Sequence, residues 1–360
     1  MAKSPAVSPR LSLTESDPER SLEFEFVRAT ENAALNAVHW IGRGDKEGAD
    51  AAACDAINGT FDRIDMRGEV VIGEGIKDDA PGIFLGDQLG TGKPGSPKFN
   101  IALDPIDGTT NISKGMPNSI SVMAGVLAPE KGAAMLNIPT FYSEKLAYGP
   151  TVAEAMRKDR RLRFDLDTPV EEIVRRTAKI RGKNVREVVV VVLDRPRHEK
   201  IIRSVRKVGA ALRLIADGDV TAAIAPSLPD SGVDLYMGIG GSPEGVLTAA
   251  ALRALGGDQQ LRMWVRDDEE RVRIAKDPAA KQLKKIFHAA DLVTGKGAIF
   301  CATGITSSWL LPGVKVVGRH ATTYSILMRA RSRTIRYIQA VHDLDNKTIY
   351  LRSRDRETLV

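Results

Sequence analysis

The sequence predicts an α/β protein, α+β in its first half and built from repeated strand–helix units in its second. Three observations carry this reading. Helical periodicity at the start of the chain gives way to short apolar runs that end in loops rich in glycine and aspartate. Residues 188–193 form a solid run of apolar, mostly β-branched side chains, the pattern of a strand buried on both faces. Beyond it, strands and helices alternate, which predicts a mainly parallel sheet.

The elements follow in order. Asp17-Pro18 sets an N-cap residue before a proline at the first helical position, and Leu22, Phe26, Ala29, Ala33, Leu35 and Val38 face inward until Gly42 stops the helix. A second, alanine-rich helix covers about 49–63. Strands are predicted near 69–72, 100–103, 119–126, 132–137 and 145–148, the later ones joined by hairpin-like connections. Residues 150–167 form the boundary, so the chain divides into a tail (1–17), a first domain (18–160) and a second domain (161–360). Thr168-Pro169-Val170-Glu171 reads as a capping box with proline at its first helical position. A helix over 198–208 ends at Gly209, and a strand over 211–215 leads into Asp217-Gly218-Asp219. A strand over 233–239 leads into a helix opened by Ser242-Pro243 and closed by Gly256-Gly257.

Composition narrows the function classes. The 360 residues are 43% hydrophobic and 27% charged, ordinary for a globular protein with room for two cores. No apolar run approaches a membrane span, and the N-terminus lacks the apolar core of a signal peptide, so a cytoplasmic protein is expected. Met1 to Asp17 is rich in serine and proline and is expected to be disordered. Cys54 and Cys301 read as buried thiols, and five scattered histidines argue against a zinc enzyme. A net charge of +6 is dispersed, aromatics are only 5%, and no nucleic-acid motif appears, which points to an anionic substrate rather than a nucleic acid. The run Arg329, Arg331, Arg333, Arg336 reads as a solvated strand face or a subunit contact.

The chemistry concentrates at Asp104-Pro105-Ile106-Asp107-Gly108-Thr109-Thr110. Two carboxylates past a strand end can converge on one hard cation, Gly108 lets backbone approach a ligand, and Thr109 adds a hydroxyl. Val70-Val71-Ile72 runs into Gly73-Glu74-Gly75, with Asp78 and Asp79 close behind. Gly42-Arg43-Gly44-Asp45-Lys46 leads to Asp50 at the head of the alanine-rich helix. Three acidic loops in one third of the chain suit Mg²⁺ or Mn²⁺, ions that commonly serve phosphate-ester chemistry. In open α/β sheets ligands sit beyond the carboxyl ends of strands, where Arg197-His198, Asp217-Gly218-Asp219 and 240–244 also fall, so a cleft between the two halves is expected.

These segments, in this order, resemble the bacterial class II fructose-1,6-bisphosphatases, members of the lithium-sensitive, metal-dependent phosphatases. The resemblance continues through 137–142, Asp194-Arg195-Pro196-Arg197-His198, Gly238-Ile239-Gly240-Gly241-Ser242-Pro243-Glu244-Gly245, 301–306 and Ser332-Arg333-Thr334, and spans about residues 20 to 342. It implies an α-β-α-β-α sandwich and a homo-oligomer, dimer or tetramer. It implies two or more divalent ions on Asp50, Glu74, Asp104, Asp107 and Glu244. Thr109 and Asp78 would orient and activate the attacking water. Asp107, Gly108 and Thr109 would touch the reacting phosphate, and Lys46 would meet phosphate or a carboxylate. Tyr142 would contact the sugar. Arg197 and His198, with Glu199 adjacent, would hold the remote phosphate. Asp217, Gly218 and Asp219 would accept sugar hydroxyls, and Gly241 would leave space for the ligand. Ile76 stands where the family often has an acid.

The implied reaction is hydrolysis of the 1-phosphate of fructose 1,6-bisphosphate, a gluconeogenic step. Sedoheptulose 1,7-bisphosphate is the alternative substrate, an inositol-phosphate phosphatase is a further one, and a non-catalytic sugar-phosphate binder is the reading from another class. Plain structural roles stay open for single residues: Glu244 as an acid in a helix's first turn, Arg197 and Lys46 as solvated cations, Tyr142 as core packing.

Overall fold

The computed structural model describes residues 17–73, 82–295, 297–353 and 357–359. Two mixed sheets and three helical layers alternate through it, α-β-α-β-α, and each layer can be read from the face it buries. Helix α1 (Pro18–Ala37) opens with the Asp17 carboxylate accepting from the Arg20 N–H at 3.2 Å. Helix α2 (Lys46–Phe61) begins earlier than its alanine pattern suggested, because Asp45 caps it and accepts from the Gly48 N–H at 2.8 Å. Phe26, Val27, Ile57 and Phe61 of these helices pack on Phe99, Ile101, Leu103 and Met123, covering the outer face of the first sheet.

That sheet has eight strands. β1 (Arg67–Ile72), β2 (Gln88–Leu89), β3 (Lys98–Asp107) and β4 (Ile120–Leu127) come from early in the chain. β11 (Ala298–Gly304), β12 (Lys315–Val317), β13 (His320–Arg329) and β14 (Thr334–Asp343) come from its end. The order is β12-β13-β11-β4-β3-β1-β2, with β14 also on β13; only β1 and β3 run parallel. The second sheet has the order β10-β9-β5-β8-β6-β7, built from β5 (Tyr142–Tyr148), β6 (Val189–Leu193), β7 (Ala211–Ile215), β8 (Leu235–Gly241), β9 (Asp258–Trp264) and β10 (Phe287–His288). Between the sheets lie α7 (Asp219–Ile224) and α8 (Ser242–Leu255), whose Val246, Leu247 and Ala250 join the Val122 and Ala124 face of β4 to Leu261 and Met263 of β9. α4 (Pro150–Lys158), α5 (Val170–Arg181) and α6 (Glu199–Val208) cover the far face of the second sheet through Val152, Val174, Ile202 and Val205.

Several expectations are corrected here. The second sheet is mixed: β6 is parallel to β7 and β8, whereas β5 is antiparallel to both β8 and β9. The strand expected at 145–148 spans Tyr142–Tyr148 and lies inside the second sheet, while β11 to β14 complete the first. The two sheets therefore do not follow a cut near residue 160. No strand forms over 132–137; Met135 makes one isolated bridge with Val293. Thr168 does not cap α5, which has Pro169 as its N-cap without a side-chain bond; its Oγ1 donates to Asp165 Oδ1 and accepts from the Asp165 N–H, each at 3.0 Å.

The arginine run divides: Arg331, Arg333 and Arg336 are exposed, as a solvated strand face requires, but Arg329 is not. Arg329, nearly buried at the end of β13, pairs with Asp17 at 2.9 Å, Glu19 at 3.3 Å and Glu23 at 3.3 Å, and Arg331 meets Glu19 at 3.5 Å. The cations clamp the hairpin onto the start of α1. Cys54 and Cys301 are buried thiols. No helix among the described residues is long and apolar enough to cross a membrane. The tail expected to be disordered lies outside the described residues except for Asp17.

Candidate active site

β3 runs straight through the acidic motif. Its pairing with β4 slips between Asp104, opposite Val122, and Asp107, opposite Ile120, so three steps on β3 match two on β4. Residues three apart on a regular strand face opposite ways; the bulge at Pro105-Ile106 absorbs one step and puts both aspartates on one face. Val122 and Ile120 belong to the core that packs on α8, so this face looks into the middle layer. The Asp104 carboxylate accepts from the Ile106 N–H at 3.0 Å.

Two Asp-Gly turns then meet across the layers. Gly108 (φ 95°) starts α3 (Thr109–Ser113), and Gly218 (φ 80°) starts α7. The Thr110 N–H in the first turn donates to Asp217 Oδ2 at 3.0 Å, and the Val220 N–H in the second donates to Asp107 Oδ2 at 3.2 Å. Each aspartate thus satisfies an orphan N–H at the start of the other's helix. Asn118 wedges between them, its Nδ2 donating to the carbonyls of Asp217 and Gly218 at 2.8 Å each. A Cβ on Gly108 or on Gly218 would lie 2.5 Å from Asn118 atoms, so both turns need glycine for close approach as well as for positive φ.

Beside this knot, the buried Asp219 takes Lys145 Nζ at 2.7 Å and the Tyr236 hydroxyl at 3.2 Å on its Oδ2. Glu244 enters from the first turn of α8; its Oε2 is shut off from solvent and has no hydrogen-bond partner among the described residues. A Cβ on Gly240 would strike Asp219 Oδ2 at 1.8 Å and one on Gly241 would strike Glu244 Oε2 at 2.0 Å, so the space these glycines leave is filled by the two carboxylates rather than held open for a ligand. Burial first, then the charges of Asp219, Glu244 and Asp217, hold Asp107 well above the ordinary carboxylate range. Burial and Asp219 push Glu244 up to about 7. Asp107, Asp217, Asp219 and Glu244 therefore repel one another with only the Lys145 ammonium to offset them, an imbalance that a cation would relieve. Asp50 is buried on α2, the helix that packs on β3 and α3.

A bulged DPIDGT strand, a reciprocal pair of Asp-Gly turns and a Gly-Gly-x-Pro-Glu helix start form one acid-lined site. Residues 20–342 match the family model described as bacterial fructose-1,6-bisphosphatase, glpX-encoded. The chain belongs to the bacterial fructose-1,6-bisphosphatase family. It is 42% identical over 338 residues to the fructose-1,6-bisphosphatase class 2 of Haemophilus influenzae, covering 91% of this chain and 97% of that one. It is 40% identical over 339 residues to fructose-1,6-bisphosphatase 1 class 2 of Escherichia coli K12, with the same coverage.

The other residues expected in the site of this bisphosphatase family member divide. Asp104, Asp107, Gly108, Asp217, Gly218, Asp219, Gly241 and Glu244 come together as described. Thr109 is half-buried at the first position of α3, and its hydroxyl makes no hydrogen bond among the described residues. Lys46, exposed at the start of α2, donates to Thr110 Oγ1 at 2.9 Å and so borders the turn. Arg197 donates to the Ile239 carbonyl at 2.9 Å from Nη2 and stacks on the Tyr142 ring at 4.6 Å, forming a rim at the end of β8. His198 is not free to bind a ligand: it is fully buried, Nε2 accepts from the Ile239 N–H at 2.7 Å, and Nδ1 therefore donates to the Leu193 carbonyl at 2.7 Å. Glu199 is an exposed helix acid paired with Arg203 at 3.2 Å. Glu74 and Asp78, with Ile76, lie outside the described residues. Among the described residues no three His, Cys, Asp or Glu side chains form a preassembled metal group.

Sequence reasoning missed Lys145, Tyr236 and Asn118. Lys145 follows Ser143-Glu144 at the polar start of β5 and carried no signal; its 1% exposure, which demands an anionic partner, exists only in the folded sheet. Asn118, at φ 81°, sits in an unremarkable loop and carried none.

Proposed function

We propose that this chain removes the 1-phosphate of fructose 1,6-bisphosphate in a divalent-metal-dependent hydrolysis, as its class 2 relatives are named for, and that it is one of the lithium-sensitive phosphatases. The observation that carries the reading is the buried Asp107–Asp219–Glu244 cluster beside the half-buried Thr109-Thr110 turn. The donor set is all carboxylate oxygen, and the unpartnered Glu244 Oε2 suits a hard cation such as Mg²⁺ or Mn²⁺. Asp104, Asp107 and Glu244 would hold it, with Asp50 of α2 and Glu74, which lies outside the described residues, as further ligands. When bound, the ion would neutralise phosphoryl charge and activate a water.

The chain's own residues supply the rest. Thr109 orients the attacking water by accepting its hydrogen bond and relaying a proton to Asp78, the expected acid partner. Lys46 places a positive charge at the turn. Arg197 and Tyr142 form the rim that takes the far end of a bisphosphate, and binding there positions the reacting end. His198 acts through its two backbone bonds, fixing the Arg197 loop to β8. Phosphate release from fructose 1,6-bisphosphate, compared with a panel of sugar phosphates under chelator, Mg²⁺ and Mn²⁺, tests the reading. Full activity after metal stripping, or a clear preference for an inositol phosphate, would overturn it.

A further inference from the structure

A second cavity, about 370 Å³, opens at the opposite end of the second sheet. β5 and β9 reach the active-site rim at Tyr142 and Trp264 and the cavity at Tyr148 and Asp258. Seven strand residues separate the two ends by roughly 20 Å, so the cavity is no extension of the site already described. Its walls come from β5, α4, the 163–168 loop and β9.

Two features show what it would bind. The first is an unmet acceptor. Gln260 is 2% exposed; its Nε2 donates to the Phe164 carbonyl at 2.9 Å, but its buried Oε1, on a side chain lining the cavity, has no partner among the described residues. Such an atom is destabilising unless a donor arrives. The second is uncommitted positive charge. Arg157 lines the cavity and forms no ion pair among the described residues, and Arg163 spends only its Nε, on the Met156 carbonyl at 2.8 Å. The cavity's acids are already engaged: Asp258 accepts from the Gln259 and Ala289 N–H groups, His288 Nδ1 and the Tyr148 hydroxyl, and Asp165 accepts from the Asp167 N–H and the Thr168 hydroxyl. What the lining leaves uncommitted is guanidinium N–H groups of Arg157 and Arg163 and the buried Gln260 carbonyl oxygen. This combination fits a small molecule with an anionic group at one end and a hydroxyl donor at the other.

We propose that this cavity is a binding site for a small phosphate monoester that also carries hydroxyl groups. The His288 ring, bonded to Asp258 at the cavity wall, is a reporter, because the chain has only five histidines to resolve by NMR. The full-length protein, held in chelator to prevent turnover, is titrated with glucose 6-phosphate, inorganic phosphate and sorbitol. Glucose 6-phosphate is expected to shift the His288 resonance saturably, phosphate to do so more weakly, and sorbitol least. Arg157→Ala, an exposed substitution that leaves packing alone, should weaken the glucose 6-phosphate response about tenfold or more through loss of a charge-assisted contact. Gln260→Leu should abolish the advantage of glucose 6-phosphate over phosphate. No saturable shift with glucose 6-phosphate, or one indifferent to Arg157→Ala, would overturn the proposal. Phosphate binding as well as glucose 6-phosphate, with Gln260→Leu silent, would mean an adventitious anion site only and overturn it equally.

Discussion

Lys145 Nζ lies 2.7 Å from Asp219 Oδ2, with the lysine side chain at 0% and the aspartate at 6% exposure. This buried pair sits where the middle helical layer meets the second sheet, and it sets the charge balance of the acid cluster. Removing only the cation leaves Asp219 beside Asp107 and Glu244 without compensation. Lys145→Met should therefore destabilise by about 3–5 kcal/mol, the range for breaking a buried pair. Lys145→Met/Asp219→Asn should recover a large part of that loss. Denaturant melts of the four proteins measure the coupling; strictly additive losses would show that the pair is not energetically joined.

The proposed metal dependence rests on Glu244 Oε2, which has no hydrogen-bond partner among the described residues. Excess Mg²⁺ should raise Tm, since a ligand at about 100 times its Kd stabilises by about 2.7 kcal/mol. Glu244→Gln preserves shape and should shrink that rise while abolishing most phosphate release. An undiminished Mg²⁺-dependent Tm shift in the variant would remove Glu244 from the ligand set.

Thr109 and Thr110 offer an internal contrast. Thr109→Ala should lower kcat by roughly 10²–10⁴ with Tm near wild type, because the hydroxyl makes no structural bond. Thr110→Val loses only the acceptor for Lys46 and should cost far less in kcat. Near-normal kcat in Thr109→Ala would end its assigned role.

Arg197 both stacks on Tyr142 and grips the Ile239 carbonyl. Arg197→Ala should impair turnover of a bisphosphate more than that of a small phosphomonoester. Arg197→Lys should rescue little, since an ammonium reproduces neither the stacking nor the two-nitrogen contact. Equal losses on both substrates would make the arginine purely structural.

His198 and His288 should bend stability in opposite directions. Burial lowers the His198 pKa below 6.5, because the charged imidazolium would lose its hydration in the interior. Its stabilisation is present above pH 6.5 and is lost as pH falls toward the lower folded value. The hydrogen bond to Asp258 raises His288 above 6.5, so its contribution is present below that pH and disappears as pH rises through the folded value. Unfolding midpoints of His198→Gln and His288→Gln, each subtracted from wild type across pH 5 to 8, should slope oppositely. Slopes of the same sign would refute one assignment.

The amino-acid sequence by itself determined the local parts. Helix starts at Asp17-Pro18 and Ser242-Pro243, the helix end at Gly209, the buried strand of 189–193 and the DPIDGTT motif all rest on contacts within a few residues, and a linear pattern carries such information. Tertiary structure decided what those parts do together. Arg329 closed on Asp17 and Glu19 of α1, 310 or more positions away, because that partnership is set by packing. β5 took the centre of the second sheet and β11 to β14 completed the first, because strand pairing is chosen by which apolar faces can be buried and not by order along the chain. The reciprocal bonds of Asp107 and Asp217, the loss of His198 to the backbone and the burial of Lys145 against Asp219 join residues 74 or more positions apart, or depend on burial. No spacing rule in one sequence encodes such contacts; they exist only once the layers have closed around them.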